Sequence, residues 1–251
     1  MKQVALITGA SAGLGVEFAR QLAKRGHTLV LAARRKDRIE ALAKELGNAR
    51  AVAIDLSKAD AAAKLIADLD SAGERIELLV NNAGFGLIGR FAELDPKRLR
   101  QMIDLNVATL TDLCRAVAPG MAKRRSGGII NVASTAAFQP GPNMAVYFAT
   151  KAYVLSFTEA LHEELKPHGV NVSCLCPGPT RTEFGDVAGF GGNGAFDRFA
   201  MESPEVVEAG LNGLDRNHAV VVPGLANKIT AASTRFAPRS VVRRIAGSLK
   251  F

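Results

Sequence analysis

The sequence predicts an α/β fold, a single doubly wound domain with a parallel seven-stranded sheet and helices on both faces. Short apolar runs rich in β-forming residues alternate with helical patterns seven times along the chain. The first run leads through a glycine-rich turn directly into a helix, as βαβ units do. No linker rich in serine, proline or charge interrupts the alternation. We therefore expect one domain over residues 1–224 and a basic helical tail, residues 225–251, packed on or beside it.

The composition is typical of a soluble globular protein. The chain has 251 residues, of which 48% are hydrophobic and 22% are charged, enough for a sizeable core. No apolar run approaches the ~18 residues that a membrane-spanning helix needs. The first strand begins within a few residues of Met1, where a secretory signal would need more room, so we expect a cytoplasmic protein.

The cysteines indicate reduced thiols. There are three, Cys114, Cys174 and Cys176, and neither their odd number nor their spacing predicts a disulfide framework. Cys174 and Cys176 alternate with Leu175 as strand residues do. A buried apolar role is therefore favoured over a metal site, and no metal is expected.

The net charge of +8 is concentrated at the carboxyl end. No acidic residue follows Asp215, and that segment contributes +7, which leaves +1 for the rest of the chain. The high isoelectric point thus describes a basic tail. No aromatic and basic residues interleave and no binding motif is present, so nucleic acid is not an expected partner. The basic residues after Asp215 are Arg216, Lys228, Arg235, Arg239, Arg243, Arg244 and Lys250.

The tail predicts two short amphipathic helices separated by Pro238. The first carries apolar residues at helical spacing, and Ser240 can cap the second, which has arginines on another side. A basic amphipathic helix can lie on an anionic membrane. Because these helices are short and lack tryptophan, packing against the domain or a partner subunit is favoured, with weak membrane contact as the alternative. The apolar positions are Leu225, Ile229, Ala232, Phe236, Val241, Val242, Ile245 and Leu249.

The first strand, residues 3–8, is followed by a glycine-rich turn and a helix that extends to Lys24. The turn reads Gly9-Ala10-Ser11-Ala12-Gly13-Leu14-Gly15. Its glycines permit a sharp turn and the close approach of a phosphate, and the helix N-terminus offers free N–H groups to an anion. Taken alone, such a turn also suits any tight strand-to-helix connection.

The second strand, residues 28–32, ends in Ala33-Arg34-Arg35. In dinucleotide-binding folds an acidic residue at this place holds the ribose 2′-hydroxyl, whereas arginine suits a 2′-phosphate. The position favours NADP over NAD. The alternative is that the arginines solvate a loop before the helix at residues 37–46.

Two further strands end in polar residues. The strand at residues 50–54 precedes Asp55-Leu56, where the carboxylate can accept a hydrogen bond from an adenine amine or, like Ser57, cap the helix at 59–72. The strand at 76–80 precedes Asn81-Asn82-Ala83-Gly84, whose amides and small residues can brace a turn beside a flat ring.

A long helix is predicted from Pro96 to Lys123, with Asp95 as its cap. Asn106 within it is a poor helix former and can bend the helix. The next strand, residues 129–133, ends at Ser134, the edge where open α/β sheets place ligands.

The helix predicted over residues 145–166 contains Tyr147 and Lys151. Residues four apart lie on one helix face, so the ammonium is expected near the phenol. A phenol titrates near ~10, and a nearby cation lowers its pKa toward values useful for proton transfer. Taken alone, a tyrosine and a lysine at this spacing more often lie on the protein surface without a catalytic role.

The sixth strand, residues 170–175, precedes Cys176-Pro177-Gly178-Pro179-Thr180-Arg181-Thr182. Residues 183–203 are rich in glycine and phenylalanine, which predicts a mobile lid over an apolar pocket. A short helix after Pro204 and a last strand at 219–222 complete the pattern. The phenylalanines of the predicted lid are Phe184, Phe190, Phe196 and Phe199.

Taken together, the motifs resemble those of the short-chain dehydrogenase/reductase family. They occur in the family's order over roughly residues 3–224, and no catalytic position departs from the pattern. The resemblance implies a Rossmann-type fold and an enzyme that transfers hydride between NADPH and a carbonyl or alcohol. The matching motifs are Thr8-Gly9-x-x-x-Gly13-x-Gly15, Asn81-Asn82-Ala83-Gly84, Asn106, Ser134, Tyr147-x-x-x-Lys151 and Pro177-Gly178.

The resemblance also implies catalytic roles. Ser134 would hydrogen-bond the substrate oxygen, and Tyr147 would exchange a proton with that oxygen. Lys151 would lower the pKa of Tyr147 and bind the nicotinamide ribose. Asn106 would hold a water that connects Lys151 to solvent.

The cofactor positions follow in the same way. The glycine-rich turn would cradle the pyrophosphate, Arg34 with Arg35 would bind the 2′-phosphate, and Asp55 with Leu56 would contact the adenine. The implied pyrophosphate positions are Gly9, Ser11, Ala12, Gly13, Leu14 and Gly15. The other implied positions are Asn82, Ala83 and Gly84 toward the adenosine, and Pro177, Gly178 and Thr180 toward the nicotinamide.

The substrate is specified less closely. The positions expected to line its pocket are apolar, which favours an apolar ketone, aldehyde or acyl-type compound. A homodimer or homotetramer is implied by the family, and the alternative function is a catalytically silent NADP-binding regulatory or scaffold protein. The expected wall positions are Phe85, Ala136, Phe138, Met144 and Phe184, beside Ser134 and Tyr147.

Overall fold

The computed structural model describes residues 1–185 and 200–248. Within these ranges the strands are β1 (Lys2–Thr8), β2 (Leu29–Ala33), β3 (Ala49–Ala53), β4 (Glu74–Asn81), β5 (Gly128–Val132), β6 (Asn171–Leu175) and β7 (Val220–Val221). They form one sheet in the order β3-β2-β1-β4-β5-β6-β7, and every neighbouring pair is parallel. The predicted seven-stranded parallel sheet is confirmed.

Helices alternate with these strands, as predicted. Those of the described residues are α1 (Gly13–Lys24), α2 (Lys36–Leu46), α3 (Ala61–Ser71), α4 (Pro96–Ile103), α5 (Leu110–Arg124), α6 (Ala145–Leu165), α7 (Ser203–Asp215), α8 (Leu225–Ser233) and α9 (Arg239–Ser248). Short 3₁₀ turns lie at Phe91–Glu93, Thr135–Phe138 and Lys166–His168. The helix after Pro204 is longer than expected, at 13 residues.

The helices cover both faces of the sheet. Successive residues of a strand point to opposite faces. Leu6 of β1 therefore packs in a cluster with side chains of α3, α5 and α6, whereas Ile7 packs with side chains of α1, α2 and α7. Both residues are fully buried, as a central parallel strand requires. The alternation of α and β elements thus produces two hydrophobic layers around one sheet.

The sheet has a topological switch point between β1 and β4. Strands β1 to β3 extend to one side, and β4 to β7 extend to the other. In open α/β sheets the crevice outside the carboxyl ends of the strands at such a point binds ligands. Each of β1 to β6 is followed at this edge by residues that the sequence singled out.

The helix predicted from Pro96 to Lys123 is not regular throughout. Asp95 caps it by accepting the Lys97 N–H, as predicted. However, a π-helical segment, Asp104–Thr109, lies between α4 and α5 and contains Asn106. A π segment adds a residue to the turn and often marks a functional site. The bend expected at Asn106 therefore takes the form of a changed hydrogen-bond pattern.

The tail forms the two predicted helices, α8 and α9, but much of its apolar surface faces solvent. Leu225 is 74% exposed and Phe236 is 88% exposed. Ile229, Val241 and Ile245 are also exposed, and the buried residues of the tail up to Ser248 are alanines. Leu249, like Phe190, Phe196 and Phe199 of the predicted lid, lies outside the described residues.

No helix of the described ranges has the length and apolar character that a membrane span requires. The three cysteines are free and buried, as predicted. The sulfurs of Cys174 and Cys176 lie 3.7 Å apart on one face of β6 and its extension.

We expect Gly15→Ala to destabilise the fold. A methyl group on Gly15 would lie 2.2 Å from the Gly9 carbonyl oxygen, and backbone cannot move aside cheaply. Overpacking of this kind costs about 1–3 kcal/mol, which lowers the melting temperature by several degrees in a chain of this size. Thermal unfolding followed by circular dichroism measures the change.

Gly120→Ala is the matched control, because its added methyl would meet only the flexible end of Arg124. Alanine in a helix interior is favoured by up to about 1 kcal/mol, so this variant should be neutral or more stable. Equal melting temperatures for the two variants would contradict the packing role of Gly15.

Candidate active site

A cleft of about 390 Å³ opens at the carboxyl ends of the strands, over the switch point. Its volume falls in the range of small-molecule sites. One wall is formed by the turns after β1, β2 and β3, and the opposite wall by the segment after β6. The residues from the sequence motifs that line it are Gly9, Ser11, Ala12, Gly13, Leu14, Arg34, Arg35, Asp55, Leu56, Asn82, Ala83, Gly84, Ser134, Tyr147, Lys151, Pro177, Gly178 and Thr180.

The glycine-rich turn forms one end of this cleft. Gly9 and Gly13 have positive φ angles of 69° and 52°, a conformation that favours glycine. Helix α1 begins at Gly13 without a side-chain cap, and in its first turn the Gly15 N–H donates to the Ala12 carbonyl oxygen at 3.2 Å. Free N–H groups at a helix N-terminus are well suited to an anion.

Gly15 differs from the expectation that it cradles a pyrophosphate. It is not among the residues that line the cleft. A methyl group there would meet the Gly9 carbonyl oxygen and the Asn82 amide nitrogen, at 2.2 and 2.7 Å. The third glycine therefore permits close packing of α1 against the turn and lies behind the surface of the cleft.

The turn after β4 is fastened to the end of β1. The Asn82 side chain donates to the carbonyl oxygens of Thr8 and Gly9, at 3.0 and 3.3 Å. The backbone N–H groups of Asn82 and Ala83 both donate to the Thr8 hydroxyl at 3.0 Å. The sequence predicted a braced turn, and this network provides the bracing.

Arg34 and Arg35 lie at the opposite end of the cleft from Tyr147, and their environments differ. Among the described residues, Arg34 has no hydrogen-bond partner, and its side chain is exposed at the cleft mouth. Arg35 donates to the hydroxyl and carbonyl oxygens of Ser11, both at 3.1 Å. Arg34 is therefore the guanidinium with free donors.

Asp55 lies beside Arg34 at the same end. Burial raises its pKa, but hydrogen bonds from Ser57 and the charge of Arg34 outweigh that effect, so the pKa is lowered and the carboxylate is ionised. Neither Asp55 nor Ser57 caps the next helix, because α3 begins only at Ala61. Both Ser57 hydrogen bonds are accepted by one carboxylate oxygen, Oδ1, and Asp55 lines the cleft.

Tyr147 and Ser134 meet at the other end. Ser134 lies two residues after β5, and its hydroxyl accepts the Ala136 N–H at 3.1 Å and lies close enough to the Tyr147 phenol to lower the pKa of that group. Tyr147 is only 7% exposed, and its ring contacts the ring of Phe184, with centroids 5.5 Å apart. Two hydroxyl groups thus converge on one point in a largely apolar pocket.

The predicted lowering of the Tyr147 pKa is wrong. Burial raises the pKa of the phenol to about 12, and the Ser134 hydrogen bond opposes this only in part. The Lys151 nitrogen lies 5.8 Å from the centroid of the tyrosine ring. Burial also lowers the pKa of Lys151, to about 8. Spacing on the helix brought the pair together, but desolvation dominates the pKa of the phenol.

Lys151 is held by backbone. Its ammonium donates to the Val132 carbonyl oxygen at 2.8 Å, which fixes α6 against the end of β5. A methyl group on Gly84 would lie 3.6 Å from the Lys151 nitrogen and 3.0 Å from the Asn106 oxygen. Gly84 therefore lets these two polar groups lie close to the turn after β4.

Asn106 lies behind the cleft and does not line it. Its oxygen accepts the Phe85 N–H at 3.1 Å, and its nitrogen donates to the Phe85 carbonyl at 3.0 Å and the Thr150 hydroxyl at 3.1 Å. It is 1% exposed. The side chain therefore ties the π segment, α6 and the loop after β4 together.

The apolar wall near Tyr147 contains four of the five predicted positions. Phe85, Ala136, Met144 and Phe184 line the cleft, whereas Phe138 does not. Phe138 packs instead against the core cluster on the α3, α5 and α6 face of the sheet. The 3₁₀ turn after Ser134 rotates by about 120° per residue, so Ala136 faces the cleft and Phe138 turns away.

Sequence reasoning missed several lining residues in the segment after β6. Thr182 packs over the glycine turn, where a methyl group on Gly13 would lie 3.0 Å from its Cβ. Glu183 forms ion pairs with Arg35 and Arg38. These contacts join residues almost 150 positions apart, and no local pattern carries that information.

Comparisons with known proteins agree with this architecture. A model of the short chain dehydrogenase family matches residues 3–188. The chain is 35% identical over 223 residues to an uncharacterised oxidoreductase of Myxococcus xanthus, covering 87% of this chain and 86% of the relative.

Solved structures are similar over the whole chain. A short-chain dehydrogenase from Sphingobium yanoikuyae, solved in complex with NADPH, has a TM-score of 0.81 at 35% identity and covers 100% of this chain and 97% of that one. A bulky-bulky ketone specific alcohol dehydrogenase from Comamonas testosteroni has a TM-score of 0.79 at 31% identity, with 100% and 95% covered.

The matched segment contains the glycine-rich turn, the braced asparagine turn and the converging serine, tyrosine and lysine. The structural similarity covers 100% of this chain for both solved structures. On this sequence and structural evidence, the chain belongs to the short-chain dehydrogenase/reductase family, whose members are oxidoreductases that bind a nicotinamide cofactor.

Proposed function

We propose that this protein is an NADP-dependent oxidoreductase that reduces an apolar ketone, aldehyde or acyl-type carbonyl. The observation that carries the proposal is the convergence of the Ser134 and Tyr147 hydroxyls at one end of a cleft whose other end presents Arg34. One end suits a carbonyl oxygen, and the other suits a phosphate.

The residues of the cleft fit a nicotinamide dinucleotide. The uncapped N-terminus of α1 and the left-handed glycines suit a pyrophosphate. The free donors of Arg34 suit the 2′-phosphate that distinguishes NADP. The Asp55 carboxylate can accept a hydrogen bond from an adenine amine. The NADPH complex of the Sphingobium yanoikuyae relative supports the same preference.

The bound cofactor would supply the hydride, and the chain would supply the proton and the positioning. Because burial raises the pKa of Tyr147 to about 12, its phenol is protonated at neutral pH and is ready to donate. Ser134 would hold the carbonyl oxygen within reach of that proton. The phenol would donate this proton in the reductive direction, and the phenolate would take it back in the oxidative direction.

Lys151 and Asn106 would support this transfer from behind. The Lys151 ammonium, fixed on the Val132 carbonyl, would bind the hydroxyls of the nicotinamide ribose and stabilise negative charge that develops on Tyr147. The Asn106 oxygen and the Lys151 nitrogen both border Gly84, and Asn106 would position a water between Lys151 and solvent.

The apolar wall indicates the substrate class. Phe85, Met144 and Phe184 surround the convergence point. Among the described lining residues, Lys151 is the cation at this end, and its ammonium is already engaged. A substrate carboxylate would therefore find no free partner there. The bulky-ketone specificity of the Comamonas testosteroni relative agrees with an apolar carbonyl substrate.

We expect Tyr147→Phe to abolish turnover and to leave NADPH binding intact. Removal of a positioned proton donor costs about 10²- to 10⁴-fold in rate, whereas the ring and its packing are preserved. NADPH consumption against a panel of ketones, aldehydes and acyl thioesters gives the rate. Fluorescence titration of NADPH gives the dissociation constant.

Tyr153→Phe is the matched control, since Tyr153 is the other tyrosine of the sequence and lies on the same helix, 40% exposed and hydrogen-bonded to Thr111. It should keep normal turnover. Near-normal turnover in Tyr147→Phe would refute the assignment. A wild-type chain that binds NADPH but turns over no carbonyl would favour the alternative, a silent NADP-binding regulatory or scaffold protein.

We expect Arg34→Asp to shift the preference from NADPH toward NADH. The variant removes a charge-assisted contact to the 2′-phosphate and adds repulsion, so NADPH affinity should fall by about tenfold or more. NADH affinity should change little. Arg90→Asp is the control, because Arg90 is 80% exposed and is absent from the cleft lining. Equal NADPH affinity in Arg34→Asp and wild type would rule out the contact.

We also propose that the chain forms a homodimer or homotetramer through the helices that contain Asn106 and Tyr147. An open apolar groove lies on this face, and it includes Phe91, which is 63% exposed, and Ile103, which is 39% exposed. The exposed apolar residues of the tail form a second surface of this kind, which a partner subunit or an anionic membrane could cover.

Comparison of Ile103→Glu with Phe236→Glu separates these two surfaces. If the helix face forms the subunit contact, a buried charge in Ile103→Glu should shift the mass measured by light scattering to that of a monomer. Phe236→Glu should remain associated. The opposite result would assign the contact to the tail, and flotation of wild type, but not Phe236→Glu, with anionic vesicles would assign the tail to the membrane.

A further inference from the structure

A carboxylate from the segment after β6 crosses the adenosine end of the cleft. Both oxygens of Glu183 are engaged, one with the Arg35 guanidinium at 2.8 Å and the other with that of Arg38 at 2.6 Å. Arg35 and Glu183 both line the cleft. We name the group of Glu183, Arg35 and Arg38 the Glu183 clasp.

The clasp links two walls of the cleft. Besides Glu183, Arg35 binds the hydroxyl and carbonyl oxygens of Ser11 in the glycine-rich turn. Thr182, adjacent to Glu183, packs over Gly13. The carboxylate is therefore located where the turn after β2 faces the segment after β6, at the end of the cleft that also contains Arg34.

The Glu183 carboxylate is ionised at neutral pH, because hydrogen bonds from Arg35 and Arg38 lower its pKa. A guanidinium binds a carboxylate and a phosphate oxygen through the same donors. A 2′-phosphate near Arg34 and Arg35 would thus encounter a negative charge that already uses donors of Arg35. A 2′-hydroxyl would carry no charge and could donate a hydrogen bond to the same carboxylate.

We propose that Glu183 is a specificity-determining residue that competes with the cofactor 2′-phosphate for Arg35, and so limits the preference for NADPH over NADH. The inference rests on the proposed function. In NAD-dependent members of this fold, an acidic residue after the second strand contacts the ribose 2′-hydroxyl. Here arginines occupy that position, and the acidic group reaches the same place from the opposite wall.

The test is a binding measurement on Glu183→Gln. Removal of the charge frees Arg35 and Arg38, so the dissociation constant of NADPH should fall by about fivefold, a size typical of half-exposed charges. The dissociation constant of NADH should stay constant or rise. The ratio of the NADH to the NADPH dissociation constant should therefore rise in the variant. This rise should shrink as salt is increased from ~20 to ~500 mM, because the charged groups are solvent-exposed.

Smaller probes isolate the phosphate. Adenosine 2′,5′-bisphosphate should follow NADPH in gaining affinity from Glu183→Gln, and adenosine 5′-monophosphate should not. Glu45→Gln is the matched control: Glu45 forms a two-bond pair with Arg20 at 2.9 and 3.2 Å, and neither residue is among those lining the cleft. Glu45→Gln removes the same charge and should leave the ratio of the NADH and NADPH dissociation constants unchanged.

The outcomes distinguish a failure of the proposed competition by Glu183 from a failure of the proposed function. An unchanged or lower preference for NADPH in Glu183→Gln, with both dinucleotides bound by wild type, overturns the competition and leaves the proposed function standing. An equal gain in NADPH affinity in Glu45→Gln would show that the effect comes from the net charge of the protein, and it would also overturn the competition. A wild-type chain that binds neither dinucleotide overturns the proposed function and this inference with it.

Discussion

The packing of α6 against the end of β5 places the chemical groups of this protein. Lys151 donates to the Val132 carbonyl oxygen, and Tyr147, one helical turn earlier, comes within reach of the Ser134 hydroxyl. Both side chains are buried, so each contact is made away from bulk water. Burial strengthens such contacts and makes an unpaired polar group costly. The position of the helix is therefore fixed by the same bonds that define the site.

A second set of buried polar contacts supports this arrangement. Asn106 closes two hydrogen bonds with the backbone of Phe85 and one with Thr150, which follows Tyr147 on α6. Deeper in the sheet, Asn81 and Asn131 are bonded to each other, and Asn131 also donates to Thr158 of α6. The helix is thus tied to β4, β5 and the π segment by side chains whose polar atoms have partners. Such a network specifies one register where an apolar interface would permit sliding.

The two ends of the cleft differ in burial and in charge. Near Tyr147 the wall is apolar and buried, and desolvation controls the pKa values of the phenol and the ammonium. At the mouth, Arg34, Arg35 and Glu183 are partly exposed, and charge pairing with solvent screening controls the balance. Proton transfer suits the buried, apolar end near Tyr147. Recognition of a phosphate, which must exchange with solvent, suits the second.

The sequence alone determined the fold class and most of the residues around the cleft, because both depend on local patterns. Strand and helix periodicity predicted the sheet, and the motif residues fall at the carboxyl ends of its strands. Tertiary structure decided what depends on distant neighbours or on burial. It placed Gly15 behind the turn, rotated Phe138 away, and raised the pKa of Tyr147 where the helix spacing predicted a lower one. It also brought Glu183 to the arginines after β2, a contact between segments that only the folded sheet brings together.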